Sequence, residues 1–382
     1  MKQLPALTPL ETQRYSRHLI LPEVGIEGQK RLKAASVLVV GAGGLGSPAC
    51  MYLAAAGIGT IGIVDFDAVE LSNLQRQIVH SSDEVGQPKT QSARRRIAGL
   101  NPDVAVNLHE DRLSASNVIA IVNQYDVVLD GTDNFATRYL VNDACVLSGK
   151  PNVYGSIFRF EGQASVFFPP EGPCYRCLFP DPPDPDAIPN CAEGGVLGVL
   201  AGVIGVIQAT EAIKLVLGLG KTLIGRLLLY DATEMDFDVL KLRRNPDCPV
   251  CGDRPSIKSV SDISASCAPA KSTEASDIRE IEARQLRDRL QQPQPPFLLD
   301  VRNPEEHRLC HIEGAKLIPL PELHHRLGEL DTNSEIVVYC KSGNRSRRAI
   351  ELLQSSGFAK VQNLTGGILA WAKDVDSTML SY

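Results

Sequence analysis

Three groups of residues in this 382-residue chain have types and spacings suited to chemistry. The first is Gly41-Ala42-Gly43-Gly44-Leu45-Gly46, a G-x-G-x-x-G set that follows the apolar run Val37–Val40. Its glycines permit a tight turn and close approach of backbone N–H groups to a phosphate, and the N-terminus of a following helix favours the same negative charge. Asp65 ends the next apolar run, where a carboxylate can bond a ribose hydroxyl. The second group is Cys174-x-x-Cys177 with Cys248-x-x-Cys251, separated by 70 residues (178–247). Each pair has ligand spacing for one tetrahedral Zn²⁺; two pairs complete Cys₄ and leave no open position, as in a structural site. Reduced thiol pairs or a redox disulfide are the alternatives. The third group is Cys340-Lys341-Ser342-Gly343-Asn344-Arg345-Ser346. Here a cysteine ends a strand and opens a loop into a helix, whose N–H groups, with Lys341 and Arg345, favour a thiolate.

Composition limits what these groups can serve. Hydrophobic residues are 43% and charged residues 22%, normal for a globular chain, and the net charge of −6 gives no electrostatic case for binding nucleic acid. Ten cysteines are too sparse for a disulfide scaffold and fit a reducing compartment. The N-terminus lacks the continuous apolar core of a signal peptide, which points to a cytoplasmic protein. The apolar stretch Gly194–Leu219 is long enough to span a bilayer. Gln208, Glu211 and Lys214 within one face favour a buried helix over a membrane span. Its small residues Gly198, Ala201, Gly202 and Gly205 suit close helix packing, including across a subunit interface.

The elements needed to position these groups alternate. Strands at 37–40, 61–64 and 126–130 interleave with helical segments, which predicts a largely parallel sheet with helices on both faces, an α/β architecture. Pro169–Pro189 is an irregular loop. Residues 1–255 form the first domain, and the Ser-, Ala- and Lys-rich residues 256–276 read as a linker. Residues 277–382 form a second, smaller α/β domain, with strands at 297–301 and 336–339 and helices at 346–356 and 368–373.

The glycine turn alone suggests an NAD-dependent oxidoreductase. Its neighbours fit that reading badly. Asn73, Arg76, Lys89, Asp133, Asn134 and Arg138 supply cations suited to a triphosphate and a carboxylate suited to Mg²⁺, neither needed for hydride transfer. The motifs RYSRHLILPEVG, GAGGLGS, DFDAVELSNLQRQ, GQPKT and DGTDNFATRY, with the cysteine pairs, resemble in order the E1-like adenylyltransferases of the MoeB and ThiF group. The resemblance implies a Rossmann-like adenylation domain. It would use ATP and Mg²⁺ to adenylate the C-terminal glycine of a small ubiquitin-like sulfur carrier ending in Gly-Gly. It further implies that Gly41, Gly43, Gly44, Gly46, Asp65 and Asn134 help bind the nucleotide. Asn73, Arg76 and Lys89 would contact the phosphates, and Asp133 would hold Mg²⁺. Arg17 would reach the triphosphate of the neighbouring subunit in a homodimer.

The Cys340 loop invites comparison with cysteine phosphatases, but four residues, not five, separate Cys340 from Arg345. The shorter loop, with LLDVRNPEEH, HIEGAKLIPL and GGILAW, resembles the rhodanese family, whose cysteine carries a persulfide. Cys310 stands where that family usually has glycine. The resemblance places a loop cysteine at Cys191, to form a thioester or an acyl disulfide; Cys191 as an incidental thiol is the alternative. The whole chain resembles fused adenylyltransferase–rhodanese proteins. They would convert the carrier's glycine to a thiocarboxylate for molybdopterin, related cofactors or tRNA thiolation, drawing sulfur from a persulfide donor such as a cysteine desulfurase. Rival readings are adenylation alone beside an inactive rhodanese domain, and a non-catalytic scaffold. Cys50 and Cys145 read as core thiols, Cys267 as a linker thiol and Cys310 as a turn thiol.

Overall fold

The computed structural model describes residues 4–169, 171–182, 195–262 and 278–380. Cys191, Cys267 and residues 263–276 of the expected linker lie outside the described residues. The chain divides into two compact units, Met1–Pro269 and Ala270–Tyr382.

The first unit is built on strands β1 (Ser36–Val40), β2 (Thr60–Val64), β3 (Ala105–His109), β4 (Val127–Asp130), β5 (Asn152–Phe158), β6 (Glu161–Phe167), β7 (Arg226–Asp231) and β8 (Asp236–Lys241). They form one sheet in the order β3-β2-β1-β4-β5-β6-β7-β8. The five strands from β3 to β5 are parallel, and β6, β7 and β8 follow antiparallel. The period-2 geometry of a strand sends alternate residues to opposite faces. In β1, Val37 and Val39 enter one buried cluster with Leu53, Ile97 and Ile204, while Leu38 and Val40 enter another with Val122, Leu140 and Ala144. That is why β1 is apolar at four successive positions, Val37–Val40: both of its faces are covered. Asp126, expected in the strand, instead caps its neighbour; its carboxylate accepts from the Ser36 N–H at 2.8 Å.

The long apolar segment is a helix over Val199–Leu217. By length and composition it passes the test for crossing a membrane, and 44% of its tested window is buried in the fold. Its polar groups serve the interior of the unit. Gln208 Nε2 donates to the carbonyls of Asp130 (2.7 Å) and Val153 (3.0 Å), and Glu211 accepts from the Leu223 N–H at 2.6 Å. The close packing foreseen for its glycines occurs within the chain at Gly205, where a Cβ would come 2.4 Å from the Leu45 carbonyl oxygen; Gly202 meets nothing.

Residues 256–262, expected to open the linker, are tied to the first unit. Val260 packs on the Leu140 side of the sheet, and Asp262 accepts from the Ala115 N–H at 2.8 Å.

The second unit has strands β9 (Arg279–Ile281), β10 (Phe297–Asp300), β11 (Lys316–Leu317), β12 (Ile336–Tyr339) and β13 (Val361–Leu364). They form an all-parallel sheet in the order β11-β10-β12-β13-β9. Val338 faces Leu299, Ile350 and Leu353, while Val337 faces Leu298, Leu364 and Ile368. The helices expected near 346–356 and 368–373 span Asn344–Ser355 and Gly367–Asp374.

Candidate functional sites

In the first sheet the chain leaves β1 toward β2 on one side and returns to β4 on the other. Such a reversal of strand order opens a crevice beyond the strand C-termini, where α/β folds bind ligands. A cavity of about 260 Å³ lies there, lined by Gly41, Gly43, Gly44, Asp65, Arg76, Lys89, Asp133 and Asn134, among others. Eight residues singled out from the sequence therefore meet at one place.

The turn after β1 needs its glycines for two separate reasons. Gly41 has φ +92°, a conformation that residues with a Cβ rarely adopt. Gly46 has no room: a Cβ there would sit 1.9 Å from the Gly41 carbonyl oxygen. Gly46 thus supports the turn from beneath and does not line the cavity. The turn is held from outside by His80, whose Nε2 lies 3.0 Å from the Ala42 carbonyl oxygen and whose basicity is lowered by burial. Asp65 fixes it from the cavity side. Its two carboxylate oxygens accept from the Ala42 N–H (2.8 Å) and the Asp67 N–H (2.9 Å). Burial pushes the Asp65 carboxyl above the usual carboxylate range, against the pull of Lys89.

The cations are arranged differently. Lys89 is buried and its ammonium pairs with Asp67 at 3.0 Å. Arg76 is anchored by one hydrogen bond, from Nη1 to the Ser72 carbonyl at 3.3 Å. Asp133 is exposed and makes no hydrogen bond or ion pair among the described residues, so its carboxylate is available to a hard cation. Asn134 caps the helix Phe135–Ser148, accepting from the Thr137 N–H at 2.9 Å.

Asn73 and Arg17 do not line the cavity. Asn73 lies in the short 3₁₀ turn Leu71–Asn73, and its carbonyl accepts from the N–H groups of Arg76 and Gln77, both at 3.0 Å. Its side-chain oxygen is buried with no hydrogen-bond partner among the described residues. Arg17 is exposed on the short helix Ser16–Leu19.

Two residues that line the cavity received less weight from the sequence than their positions warrant. Arg112 follows β3, the next parallel strand, and its guanidinium sits 5.5 Å from the centroid of the exposed Phe66 ring. Arg112 is not singled out by the sequence, because 105–109 does not read as a strand and this residue belongs to no motif. Arg138 is buried among Phe135, Tyr154 and Tyr175 and donates to the Thr132 carbonyl at 3.0 Å. Beneath it Asp130 is fully buried; burial pushes its carboxyl up, and Arg138 opposes that rise.

The four cysteines Cys174, Cys177, Cys248 and Cys251 meet, their sulfurs all within 4.8 Å of one another. Three of the separations are 3.9 Å, 3.5 Å and 3.4 Å. A tetrahedron with Zn–S bonds of about 2.3 Å has edges of roughly 3.8 Å, so the donor set fits one Zn²⁺ closely. The Asn245 N–H points at Cys177 Sγ at 3.4 Å. Hydrogen bonds among the cysteines hold the Cys177 thiol down and push Cys174 and Cys251 up, so these thiols compete for protons that a bound divalent cation would displace. Cys50 and Cys145 are buried core thiols, as expected.

In the second unit Cys340 follows β12 and is 1% exposed. Its sulfur accepts from the Gly343 N–H at 3.1 Å. Gly343, at φ +102°, turns the loop into the helix. Gly367 lets the next helix approach: a Cβ there would stand 2.4 Å from the Cys340 carbonyl oxygen, and the Ile368 N–H donates to that oxygen at 2.9 Å.

The expected partnership of Arg345 with the thiolate is corrected. Its guanidinium grips Glu306 through both arms at 2.7 and 2.8 Å, in a buried pair that ties the loop to the helix Pro304–Leu309. The Gly343 N–H and the Ser346 hydroxyl, at 3.5 Å, face the sulfur. Cys310, where the family has glycine, sits in extended backbone at φ −162°, which any residue adopts. Its carbonyl accepts from the buried Arg302 at 2.7 Å, so the departure leaves this support intact.

The ThiF family model matches residues 15–250, and the rhodanese-like domain model matches residues 282–374. The chain belongs to the ThiF family, joined to a rhodanese-like domain. It is 50% identical over 383 residues to the "Probable adenylyltransferase/sulfurtransferase MoeZ" of Mycobacterium tuberculosis (strain ATCC 25618 / H37Rv), covering 99% of this chain and 97% of that one. It is 43% identical to the "Adenylyltransferase and sulfurtransferase MOCS3" of Bos taurus, over 99% of this chain and 89% of that one. The "Sulfur carrier protein adenylyltransferase" of Thermus thermophilus is 55% identical over 68% of this chain and 98% of its own length. Among solved structures, Escherichia coli MccB with ATP superposes with a TM-score of 0.56 at 24% identity, covering 62% of this chain and 74% of that one; this likeness speaks to fold alone. The ThiF–rhodanese chain is therefore an enzyme of the adenylyltransferase and sulfurtransferase group.

Proposed function

We propose that the enzyme adenylates the C-terminal glycine of a small ubiquitin-like sulfur carrier ending in Gly-Gly and then converts it to a thiocarboxylate. The observation that carries this reading is the pairing, in one chain, of a glycine-turn cavity bearing Arg76, Lys89 and Asp133 with a buried cysteine in an amide-lined loop.

In the first step a carrier carboxylate oxygen attacks the α-phosphorus of ATP. The bond to the β-phosphate oxygen breaks, and pyrophosphate leaves with the electron pair. The carboxylate is already a nucleophile and needs positioning more than activation. The amides of Gly43 and Gly44 cradle phosphate, Gly41, whose N–H is held by the Val64 carbonyl at 2.8 Å, makes the turn that presents them, Gly46 gives them room, and Asp65 and Asn134 orient the nucleoside end. Arg76 and Lys89 stabilise charge that grows on the leaving pyrophosphate, and Asn73 holds the turn carrying Arg76. Asp133 would hold Mg²⁺, which when bound neutralises phosphate charge. In a homodimer, exposed Arg17 reaches the neighbour's triphosphate. Exposed apolar residues near it (Leu10, Ile20, Leu21 and Ile26) are consistent with a covered surface. The four cysteines Cys174, Cys177, Cys248 and Cys251 would hold Zn²⁺ in a structural role.

In the second step the outer sulfur of a Cys340 persulfide, loaded by a donor such as a cysteine desulfurase, attacks the acyl carbon and AMP leaves. The product is an acyl disulfide. Cys191 or another thiol then attacks the Cys340 sulfur; the S–S bond breaks, and the carrier leaves as thiocarboxylate. A disulfide to Cys340 remains, which an external thiol must reduce. Joining the adenylating unit (1–255) and the sulfurtransferase unit (277–382) in one chain raises the effective concentration of the persulfide near the adenylate. The setting is cytoplasmic, and the sulfur goes to molybdopterin, a related cofactor or tRNA.

Pyrophosphate exchange dependent on a Gly-Gly carrier tests the first step, and trapping of a persulfide on Cys340 tests the second. Exchange without any carrier requirement, or no trapped persulfide, would refute the corresponding step. Metal analysis should return one zinc per chain; a value well below that would remove the metal assignment.

A further inference from the structure

A chain of hydrogen bonds in the second unit runs from a carboxylate on β9 to the sulfur of Cys340. Glu280 Oε2 accepts from Asn363 Nδ2 at 2.9 Å and from Thr365 Oγ1 at 3.0 Å, while its other oxygen pairs with Arg347 at 2.9 Å. Asn363, on β13, is 1% exposed, and its Oδ1 lies 2.6 Å from Ser346 Oγ. Ser346 is fully buried in the first turn of the helix that follows the loop. Its Oγ lies 3.5 Å from Cys340 Sγ and 3.0 Å from the Gly343 carbonyl oxygen.

The direction of this chain is fixed at its outer end. An ionised carboxylate only accepts, so Asn363 must turn its NH₂ to Glu280 and its carbonyl oxygen to Ser346. A hydroxyl has one proton. The short contact to Asn363 takes it, which leaves a lone pair of Ser346 facing the sulfur.

We propose that Glu280 and Asn363 are positioning residues that set the donor direction of Ser346 at Cys340. While the sulfur carries no charge, Ser346 presents a lone pair to it and keeps its proton on Asn363. When the sulfur carries negative charge, as thiolate or persulfide, the Ser346 proton turns toward it, at the cost of its bond to Asn363. Glu280 thereby opposes premature ionisation at a sulfur that already receives the Gly343 N–H. This inference rests on sulfur transfer at Cys340, but its test requires no turnover and stands apart from that assignment.

The experiment is a short iodoacetamide pulse on the full-length protein across a pH series, with the Cys340 peptide quantified by mass spectrometry. Glu280→Ala frees the Asn363 amide to rotate and Ser346 to donate to the sulfur. Half-maximal alkylation should move to lower pH by about half a unit or more, the scale of one hydrogen bond. Glu280→Gln can turn a donor to Asn363 and should move it the same way by less. In a Ser346→Ala background, Glu280→Ala should move nothing. Profiles of Glu280→Ala and the parent that superimpose, or a shift to higher pH in either variant, would overturn the proposal. So would a shift that persists without Ser346, because the unpaired charge of Arg347 would then be its cause.

Discussion

The cavity of the first unit and the loop of the second both gather charge at the end of a parallel strand, but they satisfy it in opposite ways. In the cavity, Asp133 has no hydrogen bond or ion pair among the described residues, and Arg76 is anchored by a single bond. In the loop, Arg345 is clamped by Glu306 through two bonds and the Cys340 sulfur receives an N–H. On the proposed function the cavity, where Lys89 pairs with Asp67 but Asp133 pairs with nothing among the described residues, is left for a polyanionic substrate to complete. A site that hands on one sulfur atom is closed and complete before any substrate arrives. Substitutions in the cavity should therefore cost activity with little stability, and substitutions that support the loop should cost both.

The largest expected effect is at Cys340 itself. Cys340→Ser should lower thiocarboxylate formation by more than about 10³-fold, the scale seen when a covalent nucleophile is removed, while pyrophosphate exchange stays at the parent rate. Equal loss of both activities would mean that the two sites do not divide the labour. Next comes the clamp. Glu306→Ala leaves the Arg345 charge buried without its partner and should destabilise the second unit by about 3–5 kcal/mol. Differential scanning calorimetry should then resolve an early transition for that unit, with exchange by the first unit unchanged. A single unshifted transition would contradict the reading of the loop as internally held.

The cavity predictions follow in size. Asp133→Ala should reduce pyrophosphate exchange by about 10²-fold or more. Because the carboxylate makes no hydrogen bond or ion pair among the described residues, stability should change by no more than about 0.5 kcal/mol. Normal exchange would remove Asp133 from the reaction, and a large drop in melting temperature would show that it is structural. The smallest effect is at Asp67, which is half exposed and shares the Lys89 ammonium. Asp67→Asn should lower the KM for ATP by roughly two- to threefold, because the buried Lys89 ammonium no longer shares its charge with a half-exposed carboxylate. A tenfold rise would show that Asp67 positions Lys89 instead of competing for it.

What the sequence disclosed followed the range of its signals. The glycine turn, the cysteine pairs and the Cys340 loop are local patterns, and β1 ahead of the glycine turn is apolar from Val37 to Val40 because both of its faces are covered. The sequence could not disclose pairings fixed by tertiary contact. Glu306 meets Arg345 across 39 positions, and the sequence placed that arginine at the thiolate. Asp126 read as part of a strand but caps β1 from 90 positions away. Residues 256–262 read as linker from composition alone, yet Val260 and Asp262 are held by the first unit. The apolar helix looked ambiguous because the carbonyls that satisfy Gln208 come from two distant strands. Arg112 was missed because β3, which places it, is a half-exposed strand with polar Asn107 and His109 and gives no apolar run to read.

The most direct test of the whole account is intact mass spectrometry of Gly-Gly carrier proteins incubated with the enzyme, ATP, Mg²⁺ and a persulfide donor. The account predicts that one carrier gains the mass difference between sulfur and oxygen, and that the gain disappears with Cys340→Ser. Release of AMP with no sulfur gained by any carrier would contradict it and confine the enzyme to adenylation.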